Sequence, residues 1–377
     1  MGLLESFLKY FVQPLLWAGV IAVVLQYSAR VRYERKTFRI AVNRDFYEGR
    51  HFLKHAAGWF LVAAVITFLL GVTVPERTIW LYQVLGVIAL LFCRRADLSL
   101  EALLVTGALT LLGSQSGVHS ALLPANLSRT FSASVLVIAA MCAGFQVMLA
   151  GENRTEWFAP RIREGRRGRR IVGYYFNEMT VLPLVLFLPS SDGTQTAFLW
   201  PFSGGSGMHF TVVFAPLLVM AGTRVFKRSL KAGLAYYRRM RAVQCGLCAV
   251  SAMIAFLVPQ AGLPLMLLLL VVGGFLAFRC RKFDEKGGFW YVETGDGARV
   301  VAVKAGTPAA RMRLVPGDVI LECNKVHVRN AEELYQALQM NSAYCHLLVR
   351  TIDDELKICE SALYADAPHE IGIILFD

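Results

Sequence analysis

Charge is scarce in this chain. Asp, Glu, Lys and Arg make up 18% of its 377 residues while 56% are apolar, too little charge to cover an ordinary soluble domain of that size. Catalytic motifs are missing too. The nearest approach to His-Glu-x-x-His is His51-Phe52-Leu53-Lys54-His55, which keeps the histidine spacing of a zinc site but lacks the glutamate base. Ser114, Ser116 and Ser206 lie near glycines in short outer loops, none within Gly-x-Ser-x-Gly and none beside a separate domain that could hold a triad. Gly204-Gly205-Ser206-Gly207 is not followed by the lysine of a phosphate loop. Cys245-Gly246-Leu247-Cys248 has no second pair or histidine nearby, so it reads as small apolar packing rather than as a redox or metal site. The reading that follows has no catalytic residue, no metal and no cofactor.

In their place stand long apolar runs. Nine have roughly the length of a bilayer crossing: Tyr10–Tyr27, Ala57–Val74, Ile79–Cys93, Leu98–Leu112, Ala133–Ala150, Ile171–Pro189, Met208–Gly222, Ala242–Val258 and Leu263–Phe278. The pair after Arg170 is interrupted by Pro183, Trp200-Pro201 and Pro216, so eight spans or a re-entrant piece are alternatives. The first run lacks a basic leader and a small-x-small cleavage site, which makes it a retained span.

The net charge of +12 divides unevenly. Residues 283–377 carry 9 Lys and Arg against 15 Asp and Glu, net −6, whereas residues 1–282 carry 30 against 12, net +18. Interleaving of the basic residues with apolar spans points to loop charge rather than to nucleic-acid binding. With the N-terminus outside, 27 of those 30 fall on the inner side and only Lys9, Arg77 and Arg129 on the outer. That bias places the C-terminus in the cytoplasm, and losing two spans together would leave it there. The eight cysteines then lie in spans, at the inner face or in the cytoplasm, where thiols stay reduced. Thr223 to Arg241 alternates Val225, Phe226, Leu230, Leu234 and Tyr237 with seven cations, the pattern of an interfacial helix on anionic lipid. Asp97, Glu101 and Glu178 lie within or beside spans, where a transporter would use them, although Arg94 and Arg95 are near enough to pair with the first two.

The last 95 residues read differently. From Ala298 a β-branched run ends at Gly306, Thr307-Pro308-Ala309 starts a short helix, and Pro316-Gly317-Asp318 turns the chain into a strand from Val319 to Cys323. Asn330 and Glu333 form a capping box for a second helix whose buried face carries Leu334, Ala337 and Leu338. This pattern, with Gly306, Pro308, Ala309, Gly317 and Asp318 as its structural turns, resembles a PDZ domain. A PDZ domain is a small, partly open β-barrel with two helices that captures a peptide as an added strand. Terminal-carboxylate capture needs a turn of converging amides, which glycine permits. Ile371-Gly372-Ile373 is the favoured candidate, with Gly287-Gly288-Phe289-Trp290-Tyr291 as a weaker one. The expected peptide-binding residues are Ile371, Gly372, Ile373, Leu334 and Leu338. If Gly372 is an ordinary strand bend, the groove takes internal segments instead.

The expected architecture is thus a polytopic α-helical membrane domain of eight or nine spans over residues 1–282, followed by a small α+β PDZ domain over 283–377. Three features together resemble the MinJ family of division topology determinants of Gram-positive rods: the basic segment Arg32-Tyr33-Glu34-Arg35-Lys36-Thr37-Phe38 after the first span, the PDZ turns, and the ending Ala362-Leu363-Tyr364 … His369-Glu370-Ile371-Gly372-Ile373. The resemblance implies a non-enzymatic scaffold at septa and poles, bridging DivIVA-like and MinD-like proteins, with anionic lipid under its basic loops. Self-association stays open. A membrane protease regulator and a transporter with a regulatory PDZ domain are the alternatives.

Overall fold

The computed structural model describes residues 3–92, 97–116, 124, 127–151, 157–165, 168–195, 209–288, 291–340, 344–362 and 371–376. Its N-terminal body runs through α1 (Leu3–Tyr10), α2 (Pro14–Phe38), α3 (Tyr47–Leu70), α4 (Glu76–Phe92), α5 (Ser99–Gln115) and α6 (Phe131–Leu149). Three strands follow, β1 (Ala159–Glu164), β2 (Arg170–Gln195) and β3 (His209–Val225), and then α7 (Leu230–Leu257) and α8 (Gly262–Glu285). Among the described residues, α2, α3, α6, α7 and α8 are long and apolar enough to cross a membrane. Helices α4 and α5 have 17 residues each, at the lower limit for a span. The hub is α6, with 72% of its apolar window buried inside the protein against 22% for α3. Helices α3 and α8 instead expose Leu61, Val65, Leu69, Val271 and Phe275, the stripes a lipid-facing helix presents.

Two expected spans are not helices. Ile171–Pro189 and Met208–Gly222 fall on β2 and β3, a long antiparallel hairpin packed against α3 and α6; the expectation of eight or nine helical spans is corrected accordingly. Backbone that is not helical is tolerated at membrane depth only where its N–H and C=O groups find partners inside the protein. Here they do. On β2, Gln26 Nε2 donates to the Asn177 carbonyl (2.9 Å), the Tyr10 hydroxyl to that of Val181 (3.3 Å), and Phe187 exchanges backbone bonds with Val72 and Val74. On β3, Gln13 Nε2 donates to the Phe214 carbonyl, the Leu218 N–H to the Tyr82 hydroxyl and the Met220 N–H to Ser99 Oγ.

The prolines fit the same scheme. The outward-facing positions are odd on β2 (177, 181, 187) and even on β3 (214, 218, 220), and Pro183 and Pro216, which pair with each other, share that parity. Their missing N–H groups would have pointed away from the ladder, so the hairpin loses no rung and has two fewer edge donors to satisfy.

The basic segments also differ from expectation. Arg32–Phe38 is the last part of α2 rather than a loop. Residues 223–225 end β3, and the basic stretch from Leu230 is the start of α7, continuous with the apolar run that follows, not a separate surface helix.

The C-terminal module consists of β4 (Ala298–Val303), α9 (Pro308–Arg311), β5 (Val319–Cys323), β6 (Val326–His327), α10 (Ala331–Gln339), β7 (Tyr344–Arg350), β8 (Leu356–Ala362) and β9 (Ile373–Leu375). Its antiparallel sheet has the order β8-β7-β5-β4-β9, with β6 on β5. The core holds Ala309, Leu314, Ile320, Val328, Leu347 and Val349.

Candidate functional site

The turn at Ile371-Gly372-Ile373 is built into the module. The Lys304 N–H donates to the Gly372 carbonyl (2.9 Å) and the Ala309 N–H, in the first turn of α9, to that of Ile371 (3.1 Å). Gly372 has φ +84°, and a Cβ there would collide with the Thr307 side chain, so backbone conformation and space both demand glycine. Thr307 is fixed in turn by its hydroxyl, which donates to the Lys304 carbonyl (2.6 Å).

Beyond the turn, β9 pairs with β4 on one side, and among the described residues no strand pairs with its other edge. Leu334, Ala337, Ile371 and Leu375 belong to one apolar cluster, against which Ile373 and Leu338 pack half-buried. The five residues expected to bind peptide therefore come together. Helix α10 is held at its start by Asn330 Oδ1, which accepts from the Glu333 N–H (2.8 Å), and at its end by Asn324 Nδ2, which donates to the Ala337 carbonyl.

The five residues named as structural turns are all described. Gly306 has φ +76°, Pro308 opens α9, and Ala309 is fully buried. Gly317 has φ +102°, and a Cβ there would press on Ile352 and Tyr291. Asp318 Oδ2 accepts from the Val315 N–H (3.0 Å), closing the loop before β5, and burial raises its carboxyl above the ordinary value. Of the alternative glycine turn, Phe289 and Trp290 lie outside the described residues, as do Ala343 and the 363–370 stretch of the ending.

Sequence reasoning missed the contact between module and body. Segment 291–293 runs beside the start of β2: the Val172 N–H donates to the Tyr291 carbonyl (2.9 Å), the Glu293 N–H to that of Arg170 (3.0 Å), and the Arg170 guanidinium grips the Glu293 carboxylate at 2.7 and 3.1 Å. These hydrogen bonds hold the Glu293 carboxyl below its ordinary value. The buried Tyr174 hydroxyl donates to the Val301 carbonyl of β4 (2.6 Å), and its ring meets Tyr291 edge-on. Ile374 and Phe376 join the apolar core of the body, and the Arg170 guanidinium lies 5.6 Å from the Phe376 ring centre. Tyrosines amid an apolar run and a terminal phenylalanine were the only signals.

The ionisable residues inside the body have partners distant in sequence. Asp97 and Glu101 face Arg241 of α7 at 2.9 and 3.8 Å, while Arg94 and Arg95 lie outside the described residues. Asp97 also accepts from Tyr237 and Gln146. Glu178 meets His51 at 3.0 Å, and His55 is buried beside Trp59. Among the described residues no cluster of three His, Cys, Asp or Glu is placed to hold a metal, and the seven cysteines are all free.

A PDZ domain family model matches residues 299–351. That match covers β4 to β7 and α10 but stops short of β9. Over its length the chain is similar to the cell division topological determinant MinJ of Bacillus subtilis (strain 168), with 27% identity covering 99% of this chain and 94% of that protein. The likeness to this MinJ determinant therefore runs along nearly the whole chain. Similarity to the probable MinJ of Lacticaseibacillus paracasei is 29%, over 80% of this chain and 86% of that one. No solved structure matches. The alignment with the Bacillus subtilis protein takes in residues of the N-terminal body as well as those of the PDZ domain.

Proposed function

We propose that the chain is a non-enzymatic, multi-pass membrane adaptor in division-site selection, whose cytoplasmic PDZ domain captures polypeptide partners. DivIVA-like and MinD-like proteins are the partners this reading bridges. The observation that carries it is the edge of β9 that no described strand pairs, beside the apolar face of α10, with the Ile371-Gly372-Ile373 turn at its head. Main-chain pairing along such an edge supplies affinity and the pockets beside it supply selectivity.

Orientation follows from charge and from the hairpin. A hairpin enters and leaves on one side, so replacing two spans by β2 and β3 keeps the basic ends of α2 and α8 and the basic start of α7 on the same, cytoplasmic, face. Residues 1–282 serve as the anchor, with exposed Arg238 and Arg239 set against anionic lipid, and residues 283–377 as the capture module. Confinement to the membrane plane raises the local concentration of the module toward other membrane-bound proteins, so modest affinity suffices.

The test is a fluorescent fusion in a rod-shaped Gram-positive host combined with deletion of the gene. The expected result is signal at septa and poles and misplaced division sites; uniform peripheral signal with normal division would overturn the adaptor reading and leave transport or protease regulation.

A further inference from the structure

The groove of the PDZ domain does not stand alone, because the outward side chains of β9, Ile374 and Phe376, are part of the apolar core of the membrane body. A segment that adds to the free edge of β9 with its carboxylate at the Ile371–Ile373 turn has to run antiparallel to β9. Its upstream residues therefore travel from the turn toward Phe376. There it meets the base of the hairpin: the Arg170 guanidinium lies over the Phe376 ring, and Arg169, beside it in the β1–β2 turn, is exposed to solvent.

Building on the capture reading, we propose that the groove takes polypeptides that end in apolar residues and carry acidic side chains about four to six residues from the end, with the hairpin arginines reading that acidic stretch. The end preference follows from the groove walls, since Leu334, Leu338, Ile371 and Ile373 are all aliphatic. The spacing follows from strand geometry. Positions 373 to 376 match about four ligand residues at about 3.3 Å each, and an arginine side chain reaches one or two residues farther. The acidic preference has to come from the hairpin. Residues 283–377 carry a net charge of −6, and Glu332 is exposed on α10, so the module by itself repels an acidic segment. Arg170 is already engaged with Glu293, which leaves Arg169 as the main reader and Arg170 as its neighbour.

The experiment uses the full chain in detergent micelles and three fluorescein-labelled decapeptides read by anisotropy at low salt. One ends Ile-x-Val with Asp and Glu at the fourth to sixth positions from its end, the second has serines there, and the third is the acidic peptide with an amidated terminus. The acidic peptide is expected to bind about tenfold more tightly than the serine peptide. Arg169→Glu is expected to remove that difference while leaving the serine peptide unchanged, a control that reports a folded groove. Equal binding of the acidic and serine peptides, or a difference that survives Arg169→Glu, overturns the acidic preference and leaves peptide capture standing. Failure of all three peptides to bind overturns both. Tight binding of the amidated form removes the carboxylate from the register and with it the spacing argued here.

Discussion

The hairpin of β2 and β3 and the sheet of the PDZ domain are both antiparallel, yet their outer edges are treated differently. Along the hairpin the outward backbone groups meet side chains of Gln13, Gln26, Tyr10, Tyr82 and Ser99 or the backbone of Val72 and Val74. In the PDZ sheet, no described strand pairs with the second edge of β9. A strand edge outside a membrane can bond to water or to an added strand, whereas one at membrane depth has no water to bond. On the proposed function, the closed edge serves the anchor and the unpaired one recognition.

The largest disturbance of the closed region should come from its buried charges. Arg241→Met leaves Asp97 without its cation in the packed body, and breaking such a pair costs about 3–5 kcal/mol. Unfolding of the detergent-solubilised chain in a graded denaturant should show that loss, with Asp97→Asn recovering part of it in the double variant. Full stability of Arg241→Met would mean that water reaches the cluster and that the body is not closed.

The next effect is on the open edge. Gly372→Val forces a β-branched residue to φ +84° and drives its Cβ into Thr307, a combined cost of about 2 kcal/mol or more. Because the change sits at the head of β9, partner pull-down should be lost while membrane insertion and the helical circular dichroism persist. Gly317→Val should behave alike through Ile352 and Tyr291. Unchanged pull-down would remove the groove from the mechanism.

A smaller change tests the capping itself. Ser99→Ala removes the acceptor of the Met220 N–H, and Tyr82→Phe that of the Leu218 N–H, each stranding a buried amide at about 1–3 kcal/mol. Removal of an exposed side chain from the outer face of β8, such as Ile358→Ala, should stay within about 0.5 kcal/mol. Equal costs for the two kinds of change would erase the contrast between closed and solvated edges.

How much of this could be read from the residues depends on the range of the signals. The module was legible because its signals are local: Thr307-Pro308 opening α9, Gly317 closing the next turn and Asn330 with Glu333 capping α10 all act within a few residues. Ile371-Gly372-Ile373 was legible for the same reason. The hairpin was not, because an apolar run of hairpin length matches the composition of a span, and hydropathy does not separate a strand buried on both faces from a helix. Pro183 and Pro216 held the missing information. A proline in mid-run argues against a helix, and two that face each other at outward positions argue for a ladder, but their pairing shows only once the register is known. The pairing of Asp97 and Glu101 with Arg241 was out of reach likewise, since Arg241 lies more than 100 residues away and a local reading reaches only the nearby Arg94 and Arg95.

The smallest effect concerns the join between the two regions. Glu293 holds Arg170 at the hairpin base, and the hydrogen bonds from that guanidinium lower its carboxyl below the ordinary 4.5. A carboxyl lowered on docking contributes stability that is fully present above 4.5 and is lost as the pH falls through its docked value. Docking should therefore be unchanged from pH 8 to pH 5 and should loosen only below about 4.5. The pair is more than a third exposed on its acidic side, so solvent screens it and the change should be modest. Tyr174, Tyr291 and Phe376 continue to pack whatever the charge on Glu293. Hydrogen exchange at the amides of Val172 and Glu293 is the measurement, since both are bonded across the join. Exchange corrected for its intrinsic pH dependence should accelerate below pH 4.5 in the native chain, and Glu293→Gln should flatten that response while speeding exchange slightly at neutral pH. A flat native profile would mean that the aromatic contacts alone hold the PDZ domain against the hairpin.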